Sequence, residues 1–204
     1  MTSEPDEAAD LAIVCRLLFA ERGIVLERYS KAEIREGRTP DYKMMLAEHL
    51  VGFCEVKSPR DDWLDQQLEG AQDFEIRGGM RKDPIFNRIA RQIEKAASQF
   101  GAVNSSHELP NVLVFVNHDV ASNAHDLKET LTGDFHAATG DRFATVKNVS
   151  EGKLKAVKDR IDLFIWIDCK TDQIQLWFFN AANMHHVRKL CSLFGIDEKD
   201  IDQK

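Results

Sequence analysis

The stretch Pro40-Asp41-Tyr42-Lys43-Met44-Met45-Leu46-Ala47-Glu48-His49-Leu50-Val51-Gly52-Phe53-Cys54-Glu55-Val56-Lys57-Ser58-Pro59 decides how this chain is read. Two strands are predicted in it, from about Asp41 to Ala47 and from Val51 to Ser58, with Pro59 closing the second. The connection near Glu48, His49 and Leu50 is short enough for a hairpin. Side chains alternate faces along a strand, so Glu55 and Lys57 share one face and Val56 points to the other. Asp41 and Glu55 are equidistant from Glu48, so antiparallel pairing about Glu48 sets them opposite each other.

Working outward, Asp6 to Arg22 is dense in Ala, Leu, Ile and Val, and Gly23 follows as a C-terminal stop, which predicts a helix. A short strand is predicted over Gly23 to Tyr29, and Gly37 to Pro40 supplies loop chemistry. From Arg60 to Lys82 the pattern is polar and irregular, with Gly78-Gly79 as a flexible point, and reads as a partly helical excursion. A second helix is predicted with Asp83 as its cap, Pro84 in its first position and Gly101 at its end. The apolar run Val112-Leu113-Val114-Phe115-Val116, within Pro110 to Asn117, has the character of a strand buried on both faces. A helix near Asn123 to Leu131 follows. A hairpin then pairs Leu163 to Cys169 with Ile174 to Phe179 across Lys170-Thr171-Asp172, and a last helix runs from about Asn183 to Phe194. The expected fold is α/β, a central mixed sheet flanked by helices with an α-β-β-β-α-β core and a C-terminal hairpin and helix.

At 204 residues the chain fits one domain, 1–204. A composition of 43% hydrophobic and 30% charged residues is that of an ordinary globular protein. Cys15, Cys54, Cys169 and Cys191 lie far apart with no Cys-x-x-Cys pair, as expected of thiols in a reducing compartment. His185 and His186 have no Cys partner at ligand spacing, so spacing predicts no zinc. The acidic N-terminus lacks the basic region of a leader, and no apolar run is long enough to span a bilayer; a cytoplasmic protein with no membrane partner is expected. The net charge of −7 argues against a general nucleic-acid coat, because non-specific affinity comes from Lys and Arg neutralising phosphates.

Two carboxylates at cross-strand distance repel, and a divalent cation is the simplest compensation. Hard oxygen ligands suit Mg²⁺, or Mn²⁺ in its place. Lys57 beside such a metal could orient water or stabilise charge that builds on phosphorus. The competing reading is a surface hairpin carrying an ordinary ion pair.

With Pro40-Asp41 opening one strand, Glu55-Val56-Lys57 on the next, and a capped helix and buried strand after them, the chain resembles the PD-(D/E)XK nuclease superfamily, the restriction-endonuclease-like fold. The resemblance spans about Asp6 to Asn117, and residues 118–204 carry no matching motif. It implies that Asp41 and Glu55 bind the metal with help from the Val56 carbonyl, and that Lys57 assists the nucleophile. Family members often add an acid from the first helix; Glu7 shares a stripe with Leu11, Val14 and Leu18 and is that candidate, with Asp10 and Glu21 at its edge. An acid in a first helical turn is equally what the helix dipole favours.

On the second helix Arg88, Gln92, Lys95 and Gln99 form a polar stripe. The family frequently points a Gln or basic residue of this helix at the site, which makes Gln92 the candidate for a supporting catalytic role. Between Arg77 and Lys95 six basic residues (Arg77, Arg81, Lys82, Arg88, Arg91 and Lys95) face only two acids, Asp83 and Glu94, the best phosphate-facing patch in an acidic chain. Asn117-His118-Asp119 reads as turn and capping chemistry. The expected function is a Mg²⁺-dependent nuclease acting on DNA, with a homodimer left open. The alternatives are an RNA-directed nuclease and a catalytically inactive binding or regulatory module of the same fold.

Overall fold

Capping and turn chemistry set where each element begins and ends. In the computed structural model, residues 6–59, 69–72, 75, 85–119, 122–137, 139, 141–143, 154 and 156–201 are described. Asp6 caps helix α1 (Glu7–Val14), its carboxylate accepting the N–H groups of Ala8 and Ala9. The helix continues through a π-turn over Cys15–Phe19 and a 3₁₀ turn over Ala20–Arg22 before Gly23 ends it at φ 66°. Strand β1 (Ile24–Arg28) follows directly. Ser30 and Glu33 then form a reciprocal capping box that starts a short helix, α2 (Lys31–Glu36). The sequence reading assigned no element there, although Ser30-Lys31-Ala32-Glu33 carries the capping signature.

Strands β2 (Tyr42–Leu46) and β3 (His49–Lys57) are the expected hairpin. Its turn is Ala47-Glu48, with φ of 47° and 66°, left-handed values that tight hairpin loops require and that usually select Asn or Gly. Pairing from the turn runs Leu46↔His49 and Met45↔Leu50, then jumps to Met44↔Gly52, Lys43↔Phe53 and Tyr42↔Cys54. Val51 is the extra residue of a β-bulge. Beyond it the register is the one that places Asp41 across from Glu55.

Helix α3 (Ile85–Val103) leads into β4 (Asn111–Asn117), buried along its whole length. Gly101 does not stop α3; it sits inside the helix near the Arg160 side chain, and the helix runs on to Val103. Asp83 and Pro84, expected at its start, lie outside the described residues. Helix α4 (Ala124–Thr132) is capped by Asn123, and the short strands β5 (Phe135–His136) and β6 (Arg142–Phe143) pair with each other. Strands β7 (Leu163–Asp168) and β8 (Gln173–Phe179) form the second hairpin, and helix α5 (Met184–Phe194) ends at Gly195.

The result is an α/β architecture around one six-stranded mixed sheet in the order β1-β2-β3-β4-β7-β8. β3, β4 and β7 are parallel, and each outer neighbour runs antiparallel. Alternation along the strands gives the sheet two apolar faces. Cys54, Val112, Val114 and Ile165 pack with Val14 of α1, Leu18 of the π-turn after it, and Val187 and Leu190 of α5. Phe53, Leu113, Phe115 and Trp166 pack with Ile89, Ile93 and Phe100 of α3 and Leu127 of α4. Full burial of each large side chain is worth about 1.5–3 kcal/mol, so both layers hold the sheet. Among the described residues, no helix is long and apolar enough to cross a membrane.

Candidate active site

Three strands bring Tyr29, Asp41 and Glu55 into one row on the α3 side of the sheet, since Arg28 pairs with Tyr42 and Tyr42 with Cys54. Asp41 stands one residue before β2, and its backbone N–H donates to Glu55 Oε2 at 2.7 Å. The Asp41 carboxylate in turn accepts the Val56 N–H at 3.0 Å through Oδ2. Lys57, two residues beyond Glu55 and so on the same face, donates to Glu55 Oε1. The three groups therefore converge on adjacent strands.

They are not equally open. Asp41 is exposed, the Lys57 side chain is 14% exposed, and Glu55 is fully buried behind them. Burial, and after it the Asp41 carboxylate, pushes the Glu55 carboxyl up to about 7 despite the opposing pull of Lys57. A cation between Asp41 and Glu55 would relieve that repulsion, and carboxylate oxygens are the donors Mg²⁺ prefers.

In front of this trio lies a cleft of about 430 Å³, within the usual range for small-molecule sites. Its walls come from several elements: Glu7 and Asp10 of α1, Arg28 and Tyr29, Ile34 of α2, Thr39 to Tyr42, Val56 to Ser58, and Lys95 and Gln99 of α3. Gln99 donates from Nε2 to the Thr39 carbonyl at 2.8 Å and so fixes the chain just before Asp41. Burial first, then the nearby Glu33 and Glu55 carboxylates, raises the Tyr29 hydroxyl well above its ordinary value. That hydroxyl and Gln99 Oε1 are buried without a hydrogen-bond partner among the described residues.

No family model, curated protein or solved structure matches the chain.

Of the residues singled out in the sequence, Glu7, Asp41, Val56, Lys57 and Lys95 line the cleft and Glu55 lies directly beneath it. Glu7 is largely exposed and sits 3.5 Å from the Arg28 guanidinium. Gln92 does not line the cleft; its Oε1 is buried without a partner among the described residues. Arg88 and Arg91 lie on α3, while Arg77, Arg81 and Lys82 fall outside the described residues.

Three residues that sequence reasoning left aside also belong here. Asp10, almost fully buried, accepts from the Ser58 hydroxyl, and His118 Nε2 lies 2.6 Å from its other oxygen. These contacts join α1 to the carboxyl ends of β3 and β4. Asp10 and Val14 are one helical turn apart, a spacing that could have placed Asp10 on the inward face. The contacts to Ser58 and His118 are long-range and leave no local sequence pattern.

Proposed function

We propose that the chain is a metal-dependent nuclease, a Mg²⁺- or Mn²⁺-dependent phosphodiesterase acting on DNA. The observation that carries this reading is the convergence of the Asp41 and Glu55 carboxylates and the Lys57 ammonium, with Asp41 and Lys57 lining an open cleft and Glu55 beneath it. The order α1, β1, β2, β3, α3, β4, with α2 inserted, supports the restriction-endonuclease-like fold and with it the PD-(D/E)XK resemblance.

Asp41 and Glu55 would hold the cation, with the Val56 carbonyl and Glu7 as further oxygen donors. Bound there, a divalent cation supplies Lewis acidity and lowers the pKa of water at the site. Asp41 offers Oδ1 outward because Oδ2 is held by the Val56 N–H. Lys57, which lines the cleft and pairs with Glu55 Oε1, would orient the nucleophile and stabilise developing negative charge. Lys95, on the cleft wall, steers and holds a phosphate. Gln99 keeps the Asp41 segment in place through Thr39.

One observation favours the second reading, a binding or regulatory module without turnover. Glu55 is wholly covered and already neutralised by Lys57, an arrangement that is self-sufficient as a structural pair. Incubation with supercoiled, linear and single-stranded DNA and with RNA, in Mg²⁺, Mn²⁺ or EDTA, separates the two. The nuclease reading expects metal-dependent cleavage that Asp41→Ala abolishes. Absence of cleavage under every divalent condition, together with calorimetry showing no Mg²⁺ or Mn²⁺ binding that depends on Asp41, would replace it with the binding-module reading.

A further inference from the structure

A second polar cluster sits at the opposite end of the parallel strands. β4 begins at Asn111 and ends at Asn117 beside the cleft, so about 20 Å of strand separates the two places. At the Asn111 end, His107, Asp162 and His186 each offer one potential ligand atom, and these atoms all lie within 4.8 Å of one another. They come from the loop after α3, the residue before β7, and the first turns of α5, with no spacing relation in sequence.

We propose that His107, Asp162 and His186 form a Zn²⁺ site that ties α5 to the start of β4 and β7. His107 Nε2 lies 2.8 Å from Asp162 Oδ2, and His186 Nδ1 lies 3.2 Å from Asp162 Oδ1. Ligands of a tetrahedral zinc with bonds of about 2.0–2.1 Å stand about 3.3 Å apart, so shifts of about 1 Å are enough to close these atoms on an ion. Two imidazoles and one carboxylate are a borderline nitrogen and oxygen set that suits Zn²⁺, whereas Mg²⁺ takes oxygen alone. The His107 side chain is 19% exposed, leaving a solvent-side position for a fourth ligand.

The surroundings hold each ligand as a metal site requires. His186 Nε2 lies 3.3 Å from the Glu108 carbonyl, so a proton on Nε2 donates there and leaves the Nδ1 lone pair facing Asp162. Asp162 Oδ2 accepts the Asn111 N–H at 2.8 Å, which fixes the carboxylate. His107 is held at a left-handed φ of 54°, in a loop pinned by Asn104 through the Glu108 N–H at 3.0 Å and the Leu109 carbonyl at 2.7 Å. Asp162 is 1% exposed, and among the described residues no Lys or Arg pairs with it. A buried carboxylate flanked by imidazoles lacks a fixed countercharge, which Zn²⁺ supplies. The Asn183 amide, whose Nδ2 is 2.8 Å from His186 Nδ1, would have to give way to the ion.

The test uses the full chain carrying Asp41→Ala, which removes one of the two exposed carboxylates that line the cleft. After chelator treatment and removal of the chelator, Zn²⁺ is titrated by calorimetry and Co²⁺ by its visible absorption. One equivalent is expected to bind, with a tetrahedral-type Co²⁺ spectrum and no competition from excess Mg²⁺. His107→Ala, at a partly exposed loop position, should keep the fold and weaken Zn²⁺ by at least the ~10- to 100-fold that loss of even an outer partner costs. Zn²⁺ should raise the unfolding temperature of the parent and not that of His107→Ala. Absence of stoichiometric Zn²⁺ and Co²⁺ binding, or affinity unchanged by His107→Ala, overturns the site and leaves the cluster as hydrogen bonding alone. Because the background lacks Asp41, neither result depends on whether the cleft is a nuclease.

Discussion

Glu55 accepts the backbone N–H of Asp41 at 2.7 Å, and Asp41 accepts the backbone N–H of Val56 at 3.0 Å, so the two carboxylates extend the β2–β3 ladder with side chains in place of carbonyls. Each acid is thereby positioned by main-chain geometry. Such anchoring keeps ligands in place without the freedom that exposed acids usually have, which is what preorganisation requires.

Lys57→Ala tests how the buried charge is balanced. With its ammonium gone, Glu55 keeps, among the described residues, only the Asp41 N–H, and metal-free stability at pH 8 should fall by about 1–3 kcal/mol. Mg²⁺ should restore most of that loss in chemical denaturation, while cleavage stays suppressed. Equal loss with and without Mg²⁺ would mean that no cation reaches Glu55.

A pH series on the metal-free protein reads the same group from another side. Glu55 titrates near 7 in the fold against an ordinary 4.5, so between those values the folded state holds a proton that the unfolded state has released. This contribution should make stability fall as pH rises from 4.5 to 7, and Glu55→Gln should remove that part of the slope. A Glu55→Gln profile parallel to the parent's across the window would contradict the shift.

Lys95 lines the cleft from α3, within the basic run of the sequence. Lys95→Ala should weaken DNA binding similarly for all sequences and lower the slope of log affinity against log salt by about one. An unchanged slope would make it a solvated helix residue.

Gly52, next to the bulge, lies where a Cβ would come 2.8 Å from the Pro110 carbonyl oxygen, the same oxygen that accepts the Phe53 N–H at 3.0 Å. Gly52→Ala must push β3 from the entry of β4 and should cost about 1–3 kcal/mol by thermal or denaturant unfolding. Wild-type stability in that variant would show that the approach relaxes freely.

The sequence made the trio legible because period-two alternation puts Glu55 and Lys57 on one face, and equal distances from Glu48 pointed to a pairing that the chain reaches only through the bulge at Val51. It also showed α1, β4, the C-terminal hairpin and α5, all strongly patterned. It did not show the turn, since Ala47 and Glu48 lack the usual preference for left-handed φ. Nor did it show Asp10 with His118, or His107 with Asp162 and His186, because those groups meet only when distant segments are packed. Gly101 misled for a physical reason: one glycine inside a helix costs only about 1 kcal/mol, which packing on both sides exceeds.

Val51 acts as a phase shifter for the hairpin. A two-residue turn at Ala47-Glu48 followed by uninterrupted pairing would set Tyr42 against Phe53 and Asp41 against Cys54. Asp41 would then lie on one side of the sheet with Glu55 and Lys57 on the other, and the thiol that now lies in the α1 layer would stand across from Asp41. One surplus residue thus converts an odd offset into an even one, and whether this hairpin carries chemistry or only structure depends on that parity.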